Sequence, residues 1–353
     1  MPLIKPKTLV GLDIGSHSVK LVELNHHKKN YELKNFGVVQ LPPEAIVDGV
    51  IMDSSVVAEA IRNLYSNLKV KNKNVATSVA GHSLIVKKIQ LPVMSESELE
   101  DQIQWEAGQY IPFEIDEVNI DFQIRDDMPG ADSDTMEVLL VAVKKDIIND
   151  YTAVIAEAGL SVDVVDVDGF AMENLFAVAY PELLDKTVVL IDIGAGIMNI
   201  NILKKGKSAF TRDITIGGSN YTEEIQKELG VSYDDAEVVK LGGSSDQVSV
   251  EDAVRVMDKM TDNVVLEIQR SLDFFNAASS DEEIYGVYLA GGASRLPGLA
   301  EALEERQGAP VNFLQAFKEM SVSSKNFDPD YLEAMGPVAV VAAGLALRRT
   351  DER

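Results

Sequence analysis

Two stretches of this chain, far apart, spell nearly the same phrase. Residues 7–15 read KTLVGLDIG and residues 186–194 read KTVVLIDIG, 179 positions later and in unbroken register. Each is an apolar strand pattern that runs into a tight turn and a second strand, Val19–Leu24 in the first copy and Met198–Leu203 in the second. A strand–turn–strand unit repeated at this distance predicts two related halves. The 353 residues suit that reading, at roughly 150 per domain, and suffice for a large core without staples.

Composition narrows the function classes. With no cysteine, thiol catalysis, thiolate zinc sites and a disulfide framework are excluded. The net charge of −25 disfavours non-specific binding to nucleic acid or to anionic lipid. No signal peptide is legible, because Asp13 interrupts the first apolar run, and the longest apolar stretch, Gly336–Leu347, falls short of the ~20 residues of a membrane span. The reading is a soluble chain whose membrane role, if it has one, runs through a partner and not through lipid insertion.

Between the copies, a third strand is expected over Tyr31–Val39, a helix over Ser54–Leu68 and a strand over Asn74–Ala80. Ser95 and Glu98 form a capping box before a helix of about 15 residues, with Leu99, Ile103, Ala107 and Tyr110 as its apolar stripe. Pro112 in YIPFEIDEV ends it. Strands at Asn119–Ile124 and Met136–Val143 flank a Pro/Gly/Asp loop over 126–134. Asp146–Ala158 reads as a helix closed by Gly159, then come a strand at Val162–Val167 and a helix at Phe170–Ala179. The second half continues with a strand to Ile216, helices at Asn220–Leu229 and Val250–Ala277, a strand at Ile284–Ala290, a helix from Pro297 to Gln307, and a last helix over Val338–Arg349.

The glycines suggest what the strand tips do. GxGxx at 194–198 lacks the third glycine and the following helix of a dinucleotide fingerprint, and no P-loop sequence is present. Glycine at a strand tip instead lets an anion approach converging backbone N–H groups. Two facing tips can clamp a polyphosphate. Each carries an aspartate just before its glycine, Asp13 and Asp192, which would repel phosphate unless Mg²⁺ lay between, held mostly through water. Ser16, Ser18 and Lys20 add donors near Gly15. The Gly217-Gly218 and Gly291-Gly292 turns suit a sugar and a flat base, and Glu223 and Lys227, four apart on one helix face, can hold ribose hydroxyls or simply pair in solvent.

The ordered segments DIGSHSVK, DVDGF, DIGAG, IGGSN, GGASRLPG and GPVAVVAAGLA resemble the actin-like ATPase superfamily over essentially the whole chain, as phosphate 1, connect 1, phosphate 2, ribose region, adenosine motif and connect 2. QLP and QWEAGQYIPFEIDEV resemble its PilM branch, of type IV pilus assembly. The resemblance implies an α/β actin-like fold, two RNase H-like halves around a nucleotide cleft with an inserted small α+β subdomain. Residues 1–83, 163–185 and 330–353 would build the first half and 84–162 the insertion. Residues 186–217 and 281–329 would build the second half, with 218–280 as its helical subdomain. ATP or ADP with Mg²⁺ would meet Asp13, Gly15, Ser16, His17, Ser18 and Lys20 on one side and Gly194, Ala195, Gly196 and Asn199 on the other. Gly217, Gly218, Gly291, Gly292, Ala293 and Arg295 would hold ribose and base. His17 departs from the small residue expected there. Asp168 of DVDGF is the implied water-positioning residue for slow hydrolysis, with capping of the next helix as its alternative. The implied partner is the cytoplasmic N-terminal tail of a PilN-like inner-membrane protein, with further pilus assembly proteins and self-association beside it. That makes the chain a cytoplasmic protein peripheral to the inner membrane.

Two other functions share the fold. A small-molecule kinase needs a general base at a substrate pocket; Asp166 and Asp168 qualify, but no substrate constellation accompanies them. An FtsA-like division tether needs an amphipathic C-terminal helix, and RRTDER follows the Ala-rich segment directly. Histidines 17, 26, 27 and 82 lack metal-ligand spacing, and Met257 and Met260 read as core filling. Trp105 falls opposite the apolar stripe of its helix. Either the helix is sandwiched between subdomains or Trp105 meets a partner, with Tyr110, Ile111, Pro112 and Phe113 forming the wall of a docking groove.

Overall fold

β1 (Val10–Ile14) lies in the middle of its sheet and is buried at every position, Asp13 included. It pairs antiparallel with β2 (Ser18–His27), which pairs with β3 (Asn30–Gln40). A short hairpin of β4 (Ile46–Val47) and β5 (Val50–Ile51) leads to α1 (Ser54–Leu68), where Asp53 caps the Val56 N–H. β6 (Asn74–Val79) then lies parallel to β1. The computed structural model describes residues 8–27, 30–125, 134–279 and 283–350; the loop expected over 126–134 lies outside them except for its last residue.

The chain next leaves this sheet. β7 (Leu84–Pro92), α2 (Glu96–Ala107), β8 (Val118–Arg125) and β9 (Thr135–Lys144) make a separate three-stranded sheet in the order β7-β9-β8. Leu99, Ile103 and Ala107 of α2 pack on Ile89, Leu91, Val138 and Leu140 in a core of their own. Ser95 forms its capping box with Glu98, but α2 stops after 12 residues, three short of expectation, and Gly108 is its C-cap. α3 (Lys145–Glu157) returns the chain to β10 (Ser161–Val167) beside β6, completing the order β10-β6-β1-β2-β3.

α4 (Asp168–Ala179) crosses to the second half. There β11 (Val188–Ile193), β12 (Met198–Lys204) and β13 (Lys207–Ile214) form an antiparallel run. Three helices follow, α5 (Gly218–Leu229), α6 (Tyr233–Lys240) and α7 (Val250–Ala278). β14 (Gly286–Ala290), α8 (Leu299–Gln307) and β15 (Val311–Phe313) complete the sheet order β13-β12-β11-β14-β15. Each sheet thus has three antiparallel strands followed by two parallel ones, and the sequence repeat has become a repeat of topology.

α9 (Pro329–Met335) and α10 (Val340–Ala346) close the chain. The single helix expected over 338–349 is divided, with a 3₁₀ turn at Pro337–Ala339 before α10. α10 lies in backbone contact with its neighbours. A Cβ on Gly344 would stand 1.9 Å from the Ala171 carbonyl of α4, and one on Gly11 would stand 1.9 Å from the Ala342 carbonyl. α4 and α10 therefore share one core with both sheets, including Leu9, Val22, Leu190 and Tyr288.

Candidate functional site

The two tips have the same local geometry. Gly15 N–H donates to Ser18 O at 3.1 Å, and Gly194 N–H donates to Ile197 O at 3.0 Å. Asp13 faces Lys20 across the first ladder and Asp192 faces Asn199 across the second. The tips also face each other, since a Cβ on Gly196 would lie 3.3 Å from Ser16 Oγ. Between them opens a cavity of about 260 Å³.

Asp13, Gly15, Ser16, His17, Ser18 and Lys20 line one side of it, and Asp192, Gly194, Ala195, Gly196 and Asn199 line the other. Gly218, Gly291, Gly292 and Ala293 line it too, together with Asp168. Gly291 has φ +86°, and a Cβ there would come 2.2 Å from Asp192 Oδ1, so only glycine allows that approach. Gly217 stands behind the wall. A Cβ on it would meet the Ala195 carbonyl at 2.4 Å, and the next two amides donate to Gly194 and Ala195, which ties α5 to the second tip.

Other expected positions lie elsewhere. Arg295 is turned away, with Nη1 on the Ala334 carbonyl at 2.6 Å. Glu223 is exposed, and Lys227 bonds Glu224 at 3.1 Å in solvent. The acid–base pair on the wall comes instead from α6, one helix further on. Lys240 is buried, donates to Thr222 Oγ1 at 2.9 Å and pairs with Glu237, which also accepts from Thr222. The signal for α6 was Ser232 three residues before Asp235, an N-cap pair that the structure forms. Sequence reasoning also missed Asp213 on β13, which accepts from the Gly81 N–H at 2.5 Å and from Asn199.

The electrostatics are those of crowded carboxylates. Burial, then the Asp13 carboxylate, holds the Asp168 proton well above the ordinary range. Burial, again with Asp13, pushes Asp192 up to about 7. Burial raises Asp213 as well. Lys20 is the counterweight. Burial lowers it, yet Asp13, at 3.1 Å, and Asp192 outweigh this and hold its charge. Burial depresses His17, Glu237 pulls it upward, and Lys240 and Lys20 push it further down. Asp168 does not cap a helix: Val167 is the N-cap of α4, and the Asp168 side chain bonds Ser78.

The expected groove residues lie along the end of α2. Ile111 is buried, Tyr110 and Phe113 are half-buried and Pro112 is exposed. Lys87 covers the Tyr110 ring at 5.3 Å, and Lys144 covers Phe113 at 4.7 Å. Trp105 is 73% exposed, so α2 is not sandwiched between subdomains. Among the described residues no helix is long and apolar enough to cross a membrane.

The comparisons agree with this architecture. The family model for the type IV pilus assembly protein PilM matches residues 11–350. A solved PilM-PilN type IV pilus biogenesis complex superposes with a TM-score of 0.87 at 28% identity, over 99% of this chain and 100% of that one. Cell division protein FtsA of Streptococcus pneumoniae serotype 2 (strain D39 / NCTC 7466) is 27% identical over 341 residues, 85% of this chain and 74% of FtsA. MreB 5 of Spiroplasma citri, solved with AMPPNP, shares the fold at 15% identity and a TM-score of 0.52, over 97% of this chain and 95% of that one. The fold is actin-like α/β, and with a family match running nearly end to end, the chain belongs to the PilM family of type IV pilus assembly proteins.

Proposed function

We propose that this protein is an ATP-binding scaffold of pilus assembly, brought to the inner membrane by the cytoplasmic N-terminal tail of a PilN-like protein. The observation behind the nucleotide assignment is the pair of facing tips, closed by the same backbone bond and separated by a cavity that both line. The phosphates lie between Ser16 and Gly196, with Lys20 as the fixed positive charge. Sugar and base lie toward Gly291, Gly292 and the Glu237–Lys240 pair of α6.

Magnesium suits this donor set. Asp13, Asp168 and Asp192 bring three carboxyl groups to the cleft, and burial first, then Asp13, raises Asp168 and Asp192. A magnesium ion would be held mostly by phosphate oxygens and water, with Asp13 and Asp192 of the two tips as the carboxylates facing it. Bound there, it supplies the charge that lets phosphate lie beside carboxylate. Asp168 lines the cavity, and in this reading its ionised form orients an attacking water; burial and Asp13 oppose that ionisation, which fits slow turnover.

For the partner, support comes from the kinship with the PilM-PilN complex and from the aromatic Tyr110–Phe113 segment. The tail lies along that segment, with Trp105 at its rim.

The test is titration calorimetry with ATP and Mg²⁺ on the parent and on Gly196→Val. The variant keeps the fold, since the cleft is open, but fills the gap between the tips. ATP affinity is expected to fall by at least about tenfold, ~1.4 kcal/mol. Unchanged affinity would remove the phosphate clamp.

A further inference from the structure

The inserted subdomain is fastened to the opposite half, and the fastening ends at the cleft wall. Arg125, the last residue of β8, is 5% exposed, and its Nη2 donates to the Ser208 carbonyl of β13 at 3.2 Å. Ser208 is itself buried. Its N–H reaches Glu173 Oε2 of α4 at 2.9 Å, and its hydroxyl lies 2.5 Å from the same oxygen and 2.9 Å from Asn201 Oδ1. Asn201 Nδ2 then donates to the Gly169 carbonyl at 2.7 Å, next to Asp168 in the cleft. Burial raises Glu173, and the Ser208 donors and Arg125 oppose that rise.

A second fastening lies at the other end of β13. Asp213 accepts from the N–H of Gly81, three residues before β7. Ile197, in the second tip, sits where a Cβ on Gly81 would be only 2.9 Å away. β13, the edge strand of the second half, is therefore gripped by the loop that enters the inserted subdomain and by the end of β8, an edge strand of that subdomain's sheet.

We infer that Arg125 is a positioning residue, which with Asp213 seats the inserted subdomain on β13 so that the state of the nucleotide cleft and the state of that subdomain bias each other. This rests on the nucleotide reading above. Coupling of this kind requires an element that both sites touch and that holds discrete arrangements. β13 meets the first requirement: its sheet partner β12 follows directly from the second tip, and its own carbonyl and carboxylate hold the subdomain. A buried polar network moves as a unit, because a half-satisfied arrangement leaves charged groups orphaned. Arg125 Nε has no partner among the described residues.

The experiment is hydrogen exchange of the full chain, with and without Mg²⁺ and ATP, on the parent, Arg125→Gln and Ser208→Ala. In the parent, nucleotide should slow exchange in the tips and also, by about fivefold or more, in β7–β9, which do not line the cavity. In Arg125→Gln the tips should stay protected while the protection of β7–β9 is lost. Ser208→Ala keeps the ladder and the Arg125 acceptor but removes the hydroxyl between Glu173 and Asn201. It should show the same loss, and it carries the test if Arg125→Gln does not fold. Ser95→Ala, which weakens α2 without touching β13, should keep the parent's pattern. Protected tips with no effect in β7–β9 of the parent, or an unchanged pattern in both folded variants, overturn the inference alone. Unprotected tips in the parent overturn the nucleotide reading and this inference with it.

Discussion

At the scale of single residues the cleft is a problem of proton ownership. Burial, and then Asp13, opposes the ionisation of Asp168. If it orients water for hydrolysis, only its ionised form serves as the acceptor. Turnover should then rise with pH through a range well above that of an ordinary carboxyl, and Asp168→Asn should lower it by about a hundredfold and flatten the profile. Phosphate release measured from pH 5.5 to 8.5 checks this, and a variant as fast as the parent would end the assignment. The tip residues were legible because the repeat put Asp13 and Asp192, and Gly15 and Gly194, at matching positions. Glu237 and Lys240 were not, because nothing in their own spacing separates them from Glu223 and Lys227. Only the packing of α6 under α5 turns one pair inward and leaves the other in solvent.

At the scale of elements, most helices and strands followed from apolar periodicity, and their ends from caps. α1 begins at Ser54 behind Asp53, as the pattern predicts. α10 did not follow. It is apolar all round, and what shapes it is backbone contact through Gly344 and Gly11, which depends on α4 and β1 from elsewhere in the chain. Gly344→Ala should accordingly be far costlier than an alanine in a helix normally is. Its Cβ has no room beside the Ala171 carbonyl, and a loss of about 3 kcal/mol or more is expected from overpacking. Ser95→Ala, by contrast, removes one exposed cap and should cost about 1 kcal/mol. Urea unfolding of both variants gives the ranking, and a reversed order would mean that α10 can shift away.

At the scale of the whole molecule, the proposed function divides localisation between charge and docking. A net charge of −25 disfavours contact with anionic lipid, so under the proposed function attachment would come from the partner's tail. Co-sedimentation with liposomes should be negligible for the protein alone and strong once a PilN-like protein is reconstituted in them; equal sedimentation in both cases defeats the tether. The halves were legible as a repeat, but their likeness also raises a question of direction. Two matching tips around a cleft would accept a chain of phosphates either way round. Position 20 is lysine, while its counterpart across the cleft, position 199, is asparagine, so only the first tip would pull on the most negative end of a bound phosphate chain. Under the proposed function, an amine present on one tip and missing from the other would give a nearly twofold-symmetric cradle a head and a foot, and would decide which tip senses the loss of a terminal phosphate.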